Sequence, residues 1–449
     1  MSLRKTLAIL LSKIINRISI LLGKQGVTFC GKLALKLCPD ILRDLSSQVR
    51  EGIFVTCGTN GKTTTNNMLN SFLKSEGKKT VCNMTGSNML NGVVAAFVLS
   101  ASLGGKLDAD YAVIEIDEAS TLRVFPHFKP DYMLLTNLFR DQLDRYGEID
   151  ITIDILLRAL ELCPDCKIIA NADDVLCASL AKKSGHDFIT FGINEPCKAN
   201  PASTSEIREG AFCQFCGERL DYDFYHFSQL GSYHCPKCGY KRPLINYNAT
   251  DISLKNGLSF KVVGSDNNER ALSSNYRGFY NIYNILAAFS AASETGLELK
   301  NIDAILKSFK PENGRMESFK IGECNVLLNL AKNPAGFNQN ISAVMEDDSP
   351  KDLVVVINDN AQDGKDISWL WDVDFERFSG ANVKSIIVSG LRAYDMELRF
   401  KYSDIKAKAV INIEDGIKEL LTGHTNNLYV LVNYTALYNT RKWLKSMED

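Results

Sequence analysis

Residues 58 to 65 read Gly58-Thr59-Asn60-Gly61-Lys62-Thr63-Thr64-Thr65, between an apolar run of strand length (52–57) and a stretch with helical spacing (66–73). A glycine turn ending in Lys-Thr at the start of a helix surrounds a polyphosphate with backbone N–H groups, a helix N-terminus and one ammonium. In such a cradle Lys62 neutralises the phosphates and the Thr63 hydroxyl is placed to ligate Mg2+. A purely structural turn has no need of Lys-Thr at its end. A second constellation is Cys213-Gln214-Phe215-Cys216-Gly217 with Cys235-Pro236-Lys237-Cys238-Gly239, two Cys-x-x-Cys knuckles separated by eighteen residues. Cys213, Cys216, Cys235 and Cys238 supply the four thiolates of a tetrahedral Zn2+ site, and with every position filled by protein the site is structural. Glu218, Asp221 and Asp223 around the knuckles argue against a nucleic-acid role. Cys163 and Cys166 share the spacing but stand alone, lack a following glycine and lead into a strand, so they read as buried thiols.

The elements that must position these groups alternate. Apolar runs at 81–84, 111–116, 132–136 and 167–171 are separated by stretches of helix length, the pattern of an α/β protein with a doubly wound parallel sheet. Ligands of such sheets sit at the carboxyl ends of the strands. Glu115, Asn137 and Asn171 with Asp173 fall at such ends and are expected to converge on the phosphate loop, with Asp117 and Glu118 as alternative metal ligands beside Glu115. From about residue 319 a second alternating unit begins, with strand-like runs at 326–328, 353–357, 383–388 and 428–432. The expected domains are therefore 1–318, carrying the knuckles as an insertion at about 205–245, and a smaller α/β unit at 319–449. Just past the second of those runs, residues 358–372 place Asp359, Asp363, Asp366 and Asp372 with Trp369 and Trp371 at a strand exit, more charge than a turn requires.

With 449 residues the chain exceeds one core, and 23% charged residues with a net charge of -2 describe an ordinary globular protein with no bulk attraction to nucleic acid. An odd number of cysteines, 13, suits a reducing cytoplasm. The apolar N-terminus, residues 7–22, is interrupted by Lys13, Asn16 and Arg17. It reads as an amphipathic helix that packs on the body or rests on a membrane surface rather than one that spans it.

The phosphate loop resembles the ATP-binding signature of the Mur ligase family, which includes the folylpolyglutamate synthases, and further landmarks follow in order. Residues 136–144, Thr136 to Asp144, resemble the segment after the magnesium-binding strand, with Gln142 where a histidine is usual. Residues 171–174, Asn-Ala-Asp-Asp, resemble the next motif. Asn281-Ile282-Tyr283-Asn284 resembles the adenine-side helix, with Tyr280 in place of another usual histidine, and Gly314-Arg315-Met316-Glu317 the hinge motif. Asn329 to Pro334 stands where relatives carry an Asp-Tyr-Ala-His type sequence. The resemblance implies a Mur ligase-type central ATPase domain using ATP and Mg2+. Gly58 to Thr64 and Lys62 would bind phosphate, Thr63 and Glu115 magnesium, Asn281 and Asn284 adenine, and Arg315 the nucleotide from the hinge. Two departures narrow it. The stretch before Gly58 is too short for the domain that holds the UDP end of a precursor. Between Arg145 and Cys166 there is no lysine to be carbamylated, and Arg158 cannot replace it because a guanidinium is always cationic.

The acidic loop, residues 390–396 and the zinc insertion together resemble the Mur-type ligase subunits of the lipid II isoglutaminyl synthase. That resemblance implies amidation of the α-carboxylate of D-isoglutamate in the lipid II stem peptide, through an acyl phosphate, with ammonia from a GatD-like glutaminase in a heterodimer. It places the protein in the cytoplasm, peripheral at the inner face of the membrane. None of His127, His186, His226, His234 and His424 has a glutaminase-like context, so the glutaminase is expected on another polypeptide. By the same resemblance an acid of the segment Asp363 to Asp366, Asp366 first and Asp363 second, orients the partner's histidine. Two other classes stay open from sequence: a stand-alone amino-acid ligase, and a binding module that uses nucleotide and zinc only for assembly.

Overall fold

The structure, a computed structural model, describes residues 3–21, 26–84, 86–141, 148–197, 208–255, 257–265, 268–309, 314–380, 382–423 and 425–448. Leu22, Gln142, Leu143, Asp144, Arg145, residues 205–207 and His424 from the readings above lie outside them.

The first domain is built on strands β1 (Gly52–Cys57), β2 (Thr80–Cys82), β3 (Tyr111–Glu115), β4 (Tyr132–Leu135), β5 (Lys167–Asn171) and β6 (Phe188–Ile193). An inserted hairpin, β7 (Asp221–Phe227) and β8 (Leu230–His234), precedes β9 (Tyr247–Ser253), β10 (Leu258–Val263) and β11 (Glu269–Ser274). Together they form a nine-stranded sheet in the order β11-β10-β9-β6-β5-β4-β1-β3-β2, parallel from β9 to β2 and antiparallel at the β9-β10-β11 edge, with β7-β8 standing apart as a two-stranded ribbon. The central strand β1 is buried along its whole length, because helices cover both faces of a parallel sheet. The helices Lys62–Ser75 and Tyr280–Ser293 pack together on one face and place the phosphate loop beside Asn281 and Asn284.

The second domain is a six-stranded sheet, β12 (Glu317–Ile321), β13 (Cys324–Leu330), β14 (Lys351–Val356), β15 (Val383–Ser389), β16 (Lys408–Ala409) and β17 (Asn427–Val432), in the order β12-β13-β17-β14-β15-β16. All neighbours are parallel except the antiparallel β12-β13 pair, so the second sheet starts at Glu317.

The N-terminal helix Leu3–Leu21 packs on the body through Ala8, Ile9 and Ser12. No described helix is long and apolar enough to cross a membrane. Cys163 and Cys166 are buried at the turn before β5, and none of the thirteen cysteines is in a disulfide.

Candidate active site and metal centre

The loop after β1 is held open by glycine geometry. Gly58 has φ 129°, and a Cβ there would meet Thr136 Oγ1 at 2.2 Å; Gly61 has φ 83°, and a Cβ there would meet Asn284 Oδ1 at 2.0 Å. Both glycines are therefore dictated by close approach as well as by backbone angle. The segment after β4 clamps the loop from the side. Thr59 N–H donates to the Asn137 carbonyl (2.8 Å), Asn60 N–H to Asn137 Oδ1 (2.8 Å), and the Thr136 hydroxyl to the Asn60 carbonyl (2.8 Å).

Geometry separates the three acids that follow β3. Glu115 Oε2 accepts from the Thr63 hydroxyl at 2.6 Å, while Asn88 donates to its Oε1 at 2.9 Å and Asn83 bonds its backbone on both sides. The wall of this spot is Gly86, where a Cβ would come within 3.2 Å of Thr63 Oγ1 and 3.7 Å of Glu115 Oε2. Two buried oxygen ligands beside a glycine that leaves their free side open fit a magnesium ion, a hard cation that takes oxygen donors. Asp117 instead accepts the Ala119 N–H at the start of the short 3-10 turn.

Glu118 is the buried partner of Lys62, at 3.0 Å. Lys62 Nζ also donates to the carbonyls of Gly58 and Thr59, so the ammonium lies across the cradle itself. Burial opposes the Lys62 charge, but Glu118, Asp117 and Glu115 outweigh it and hold the ammonium above its ordinary range. For Glu118, burial wins and raises the carboxyl despite Lys62. We take the pair as ionised, because Lys62 Nζ and the Gly58 N–H (2.6 Å) both donate to Glu118 Oε1.

The expected convergence is only partial. Asn171 lies one layer behind, donating to the Thr136 carbonyl at 2.9 Å. Asp173 turns away altogether: it accepts from Arg242 (2.8 Å), the Tyr283 hydroxyl (2.7 Å) and the Ile193 N–H (2.8 Å). A carboxylate with no exposure needs several donors, and these three supply them. Asn281 and Asn284 are buried and bonded to each other at 2.8 Å, with Thr65 close to Asn284. Arg315 lies beside Tyr280, whose hydroxyl it influences, while Gly314 and Glu317 of the same motif lock the hinge through the Gly314 N–H and Arg441. Arg158 stands on the surface with Asp154, on the helix Ile149–Glu161.

Residues of three segments that the sequence reading quoted, 136–144, 329–334 and 358–372, bridge the domains in pairings it did not foresee. Asn333 exchanges side-chain hydrogen bonds with Asn60 (3.1 and 3.4 Å), Lys332 pairs with Asp141 at 2.5 Å, and Arg140 pairs with Asp372. A cleft between the domains is lined by Arg140, Asp141, Lys332, Asn333, Asp366 and Trp369. The four acids of the loop after β14 are used differently. Asp359 pairs with Arg392 at 2.5 Å, Asp372 with Arg140, and Asp363, buried, accepts the Thr435 N–H (2.8 Å) and hydroxyl at the start of the helix Tyr434–Met447. Asp366 is half-buried and accepts the Ser368 N–H at 2.8 Å, a bond that lowers its carboxyl below the usual range.

The ribbon brings Cys213, Cys216, Cys235 and Cys238 together with all four sulfurs within 4.8 Å of one another. The Cys213–Cys238 and Cys216–Cys235 pairs are 3.6 and 3.5 Å apart, near the ~3.8 Å edge of a tetrahedron with Zn–S bonds of about 2.3 Å. Each knuckle turns on a left-handed glycine, Gly217 or Gly239, and closes with matching backbone bonds, Cys213 to Glu218 and Cys235 to Tyr240. The chemistry of this donor set fits zinc. The hairpin is stitched to the strand ends on the phosphate-loop side: Gln229 donates to the Leu138 carbonyl (2.7 Å), Gly231 to that of Asp173 (3.0 Å) and Tyr233 to that of Ala172 (3.1 Å).

The Mur ligase middle domain matches residues 55–236 and the MurT ligase C-terminal family residues 330–437. Among solved structures, a pseudomurein peptide ligase type C from Methanothermus fervidus superposes with a TM-score of 0.68 at 22% identity, covering 89% of this chain and 79% of that one. MurF from Acinetobacter baumannii gives 0.66 at 17%, covering 93% and 80%. Those likenesses establish the fold. The lipid II isoglutaminyl synthase subunit MurT of Staphylococcus aureus (strain COL) is 36% identical over 91% of this chain and 90% of its own length. The subunit of the same name from Streptococcus pneumoniae (strain ATCC BAA-255 / R6) is 32% identical over 100% and 98%. The chain belongs to the Mur ligase superfamily and, within it, to the MurT family of lipid II isoglutaminyl synthase subunits.

Proposed function

We propose that this chain is the ATP-dependent ligase subunit that amidates the α-carboxylate of D-isoglutamate in the lipid II stem peptide, with ammonia from a GatD-like glutaminase. The observation that carries this reading is the position of the Lys62, Thr63 and Glu115 cluster next to an interdomain cleft lined by Lys332, Asn333 and Asp366. A carboxylate cannot expel oxide, so one of its oxygens attacks the γ-phosphorus of ATP and ADP leaves. Ammonia then attacks the acyl carbon, inorganic phosphate leaves, and the surplus proton passes to solvent.

Most of the protein's part is electrostatic. Lys62 leaves its contacts with the Gly58 and Thr59 carbonyls to meet the β and γ phosphates, and the loop N–H groups hold them. Thr63 and Glu115 would hold the magnesium ion, which would supply charge neutralisation. Asn281 and Asn284 border the base, and Arg315 reaches the nucleotide from the hinge. Zinc in the four-cysteine ribbon is structural. Asp366, ionised and reachable by solvent, is the acid offered to the glutaminase histidine; Asp363 is already committed to Thr435. The deciding experiment supplies ATP, glutamine and lipid II to this chain with and without the glutaminase, and in parallel ammonium in place of glutamine, with the product read by mass. Amidation by the chain alone with ammonium, and with glutamine only in the complex, is expected. Transfer of an amino acid by the chain alone would replace this reading with that of a stand-alone ligase.

A further inference from the structure

The helix Leu3–Leu21 has two apolar faces. One packs on the helices Val27–Leu37 and Leu90–Ser100 through Ala8, Ile9 and Ser12, and the Ser12 hydroxyl donates to the Cys30 carbonyl at 3.1 Å. The other carries Leu3, Leu7, Leu10, Ile14, Ile18 and Leu21, which are 38% to 86% exposed. At about 100° per residue these six fall within an arc of roughly 80°, almost diametrically opposite the packed face. Single exposed aliphatic residues are ordinary, but six in one continuous stripe are not.

The charges sort themselves around the stripe. Arg4 and Arg17, both exposed, flank its two edges, and the helix contains no Asp or Glu. The next helix, Val27–Leu37, repeats the arrangement: Phe29, 60% exposed, shares its outer face with Lys32 and Lys36, again with no acid on the helix. An apolar stripe edged only by cations is complementary to a surface that is apolar inside and anionic at its rim. A second copy laid stripe to stripe would bring Arg4 and Arg17 against their own counterparts.

We propose that the helix Leu3–Leu21 docks this protein on an anionic phospholipid surface, lying in the interface plane with its Leu and Ile stripe among the acyl chains and Arg4 and Arg17 at the headgroup phosphates. The inference stands apart from the ligase reading, since it rests on neither nucleotide nor substrate. The test is cosedimentation of the full chain with phosphatidylglycerol–phosphatidylcholine vesicles and with pure phosphatidylcholine vesicles, with no ATP or lipid II present. The chain should pellet with the anionic vesicles and much less with the neutral ones. Leu7→Glu with Ile14→Glu, and separately Arg4→Glu with Arg17→Glu, should each weaken vesicle binding by roughly tenfold or more, the scale set by losing two interfacial anchors. Because these side chains point to solvent, unchanged melting temperature and nucleotide binding will certify that the variants fold. Failure to bind either vesicle, equal binding to both, or undiminished binding by the Leu7/Ile14 variant overturns the proposal. So does a wild-type dimer in solution that this variant converts to monomer, which would make the stripe a self-interface.

Discussion

At the exit of β1 every functional polar group is turned inward: Lys62 onto Glu118, Thr63 onto Glu115, Asn60 onto Asn137 and Asn333. At the exit of β14 the acids are divided. Asp359, Asp363 and Asp372 are satisfied by Arg392, Thr435 and Arg140, and Asp366 is left with the N–H and hydroxyl of Ser368 and the open cleft. The first region is complete within the chain, as a site for a small anionic ligand must be if its donors are to be preorganised. The second has three acids working for the fold and one facing outward. That is the arrangement expected where the remaining valence of a carboxylate is meant for another molecule.

The effect that reaches both turnover and folding should come from the first region. Lys62→Ala removes the charge that meets the developing phosphoryl anion, and loss of one such donor costs about 10²–10³ in turnover. The fold will not be indifferent to it. Glu118 would be left as a buried carboxylate without its partner, a loss on the order of 3–5 kcal/mol when such a pair is broken from one side. Lys62→Ala should therefore melt lower, and adding Glu118→Gln should recover much of that melting temperature without restoring ATP hydrolysis. Normal phosphate release from Lys62→Ala would remove the phosphate site from the comparison.

The second region is expected to respond in a different assay. Asp366→Asn keeps shape and removes charge, and neutralising a triad acid lowers turnover by about 10⁴. Glutamine hydrolysis by the complex should fall on that scale, with ATP binding unchanged and with ammonium still supporting amidation. Asp363→Ala should instead cost about 1 kcal/mol of stability, as loss of a helix-start acceptor does. If Asp363→Asn abolished glutamine hydrolysis and Asp366→Asn did not, the division between inward and outward acids would be assigned the wrong way round.

The ribbon sharpens the same contrast, since it supports the first region without touching ligand. One zinc per chain is expected by metal analysis, lost in Cys213→Ser with Cys216→Ser. Protease sensitivity should appear between residues 208 and 240, because binding energy in such sites is folding energy. ATP turnover should fall only in part, through the Gln229–Leu138 contact behind the phosphate clamp. A metal-free chain whose ribbon stays protected would show that hydrophobic packing alone holds it.

What could be read in advance was whatever local spacing dictates. The phosphate loop, the paired knuckles and the strand runs each depend on residues a few positions apart, and a strand or a Cys-x-x-Cys turn has few ways to be built. What could not be read depends on contacts across the chain. Glu118 stood among three acids with nothing in the sequence to assign it to Lys62. Asp173 shares a motif with Asn171, yet Tyr283 and Arg242 turn it away from the loop. Asn333 reaches Asn60 across a separation of 273 residues. The N-terminal helix was legible as amphipathic, while its second apolar face emerged only once the packed face was known.

The smallest predicted effect concerns Asp174, an inward acid that belongs to the fold in the same way as Asp363. It caps the helix Val175–Ser184 through the Leu176 N–H and accepts the Leu138 N–H at 2.7 Å, tying the clamp of the phosphate loop to the ribbon's base. Burial pushes its carboxyl up to about 6 from an ordinary 3.8, even though the Leu138 and Leu176 N–H groups pull it down. A raised folded-state value means that the folded protein binds the proton more tightly than the unfolded chain does. Its contribution is therefore full below about 3.8 and is lost as pH rises through about 6. Asp174→Asn keeps a good helix cap and cannot ionise. Compared with wild type in thermal melts across that window, the variant should gain relative stability as pH rises from 4 to 6 and keep a constant advantage above it. Parallel melting curves over the whole range would mean that Asp174 is already as well solvated as an outward acid, and that inward placement at this strand end carries no electrostatic cost.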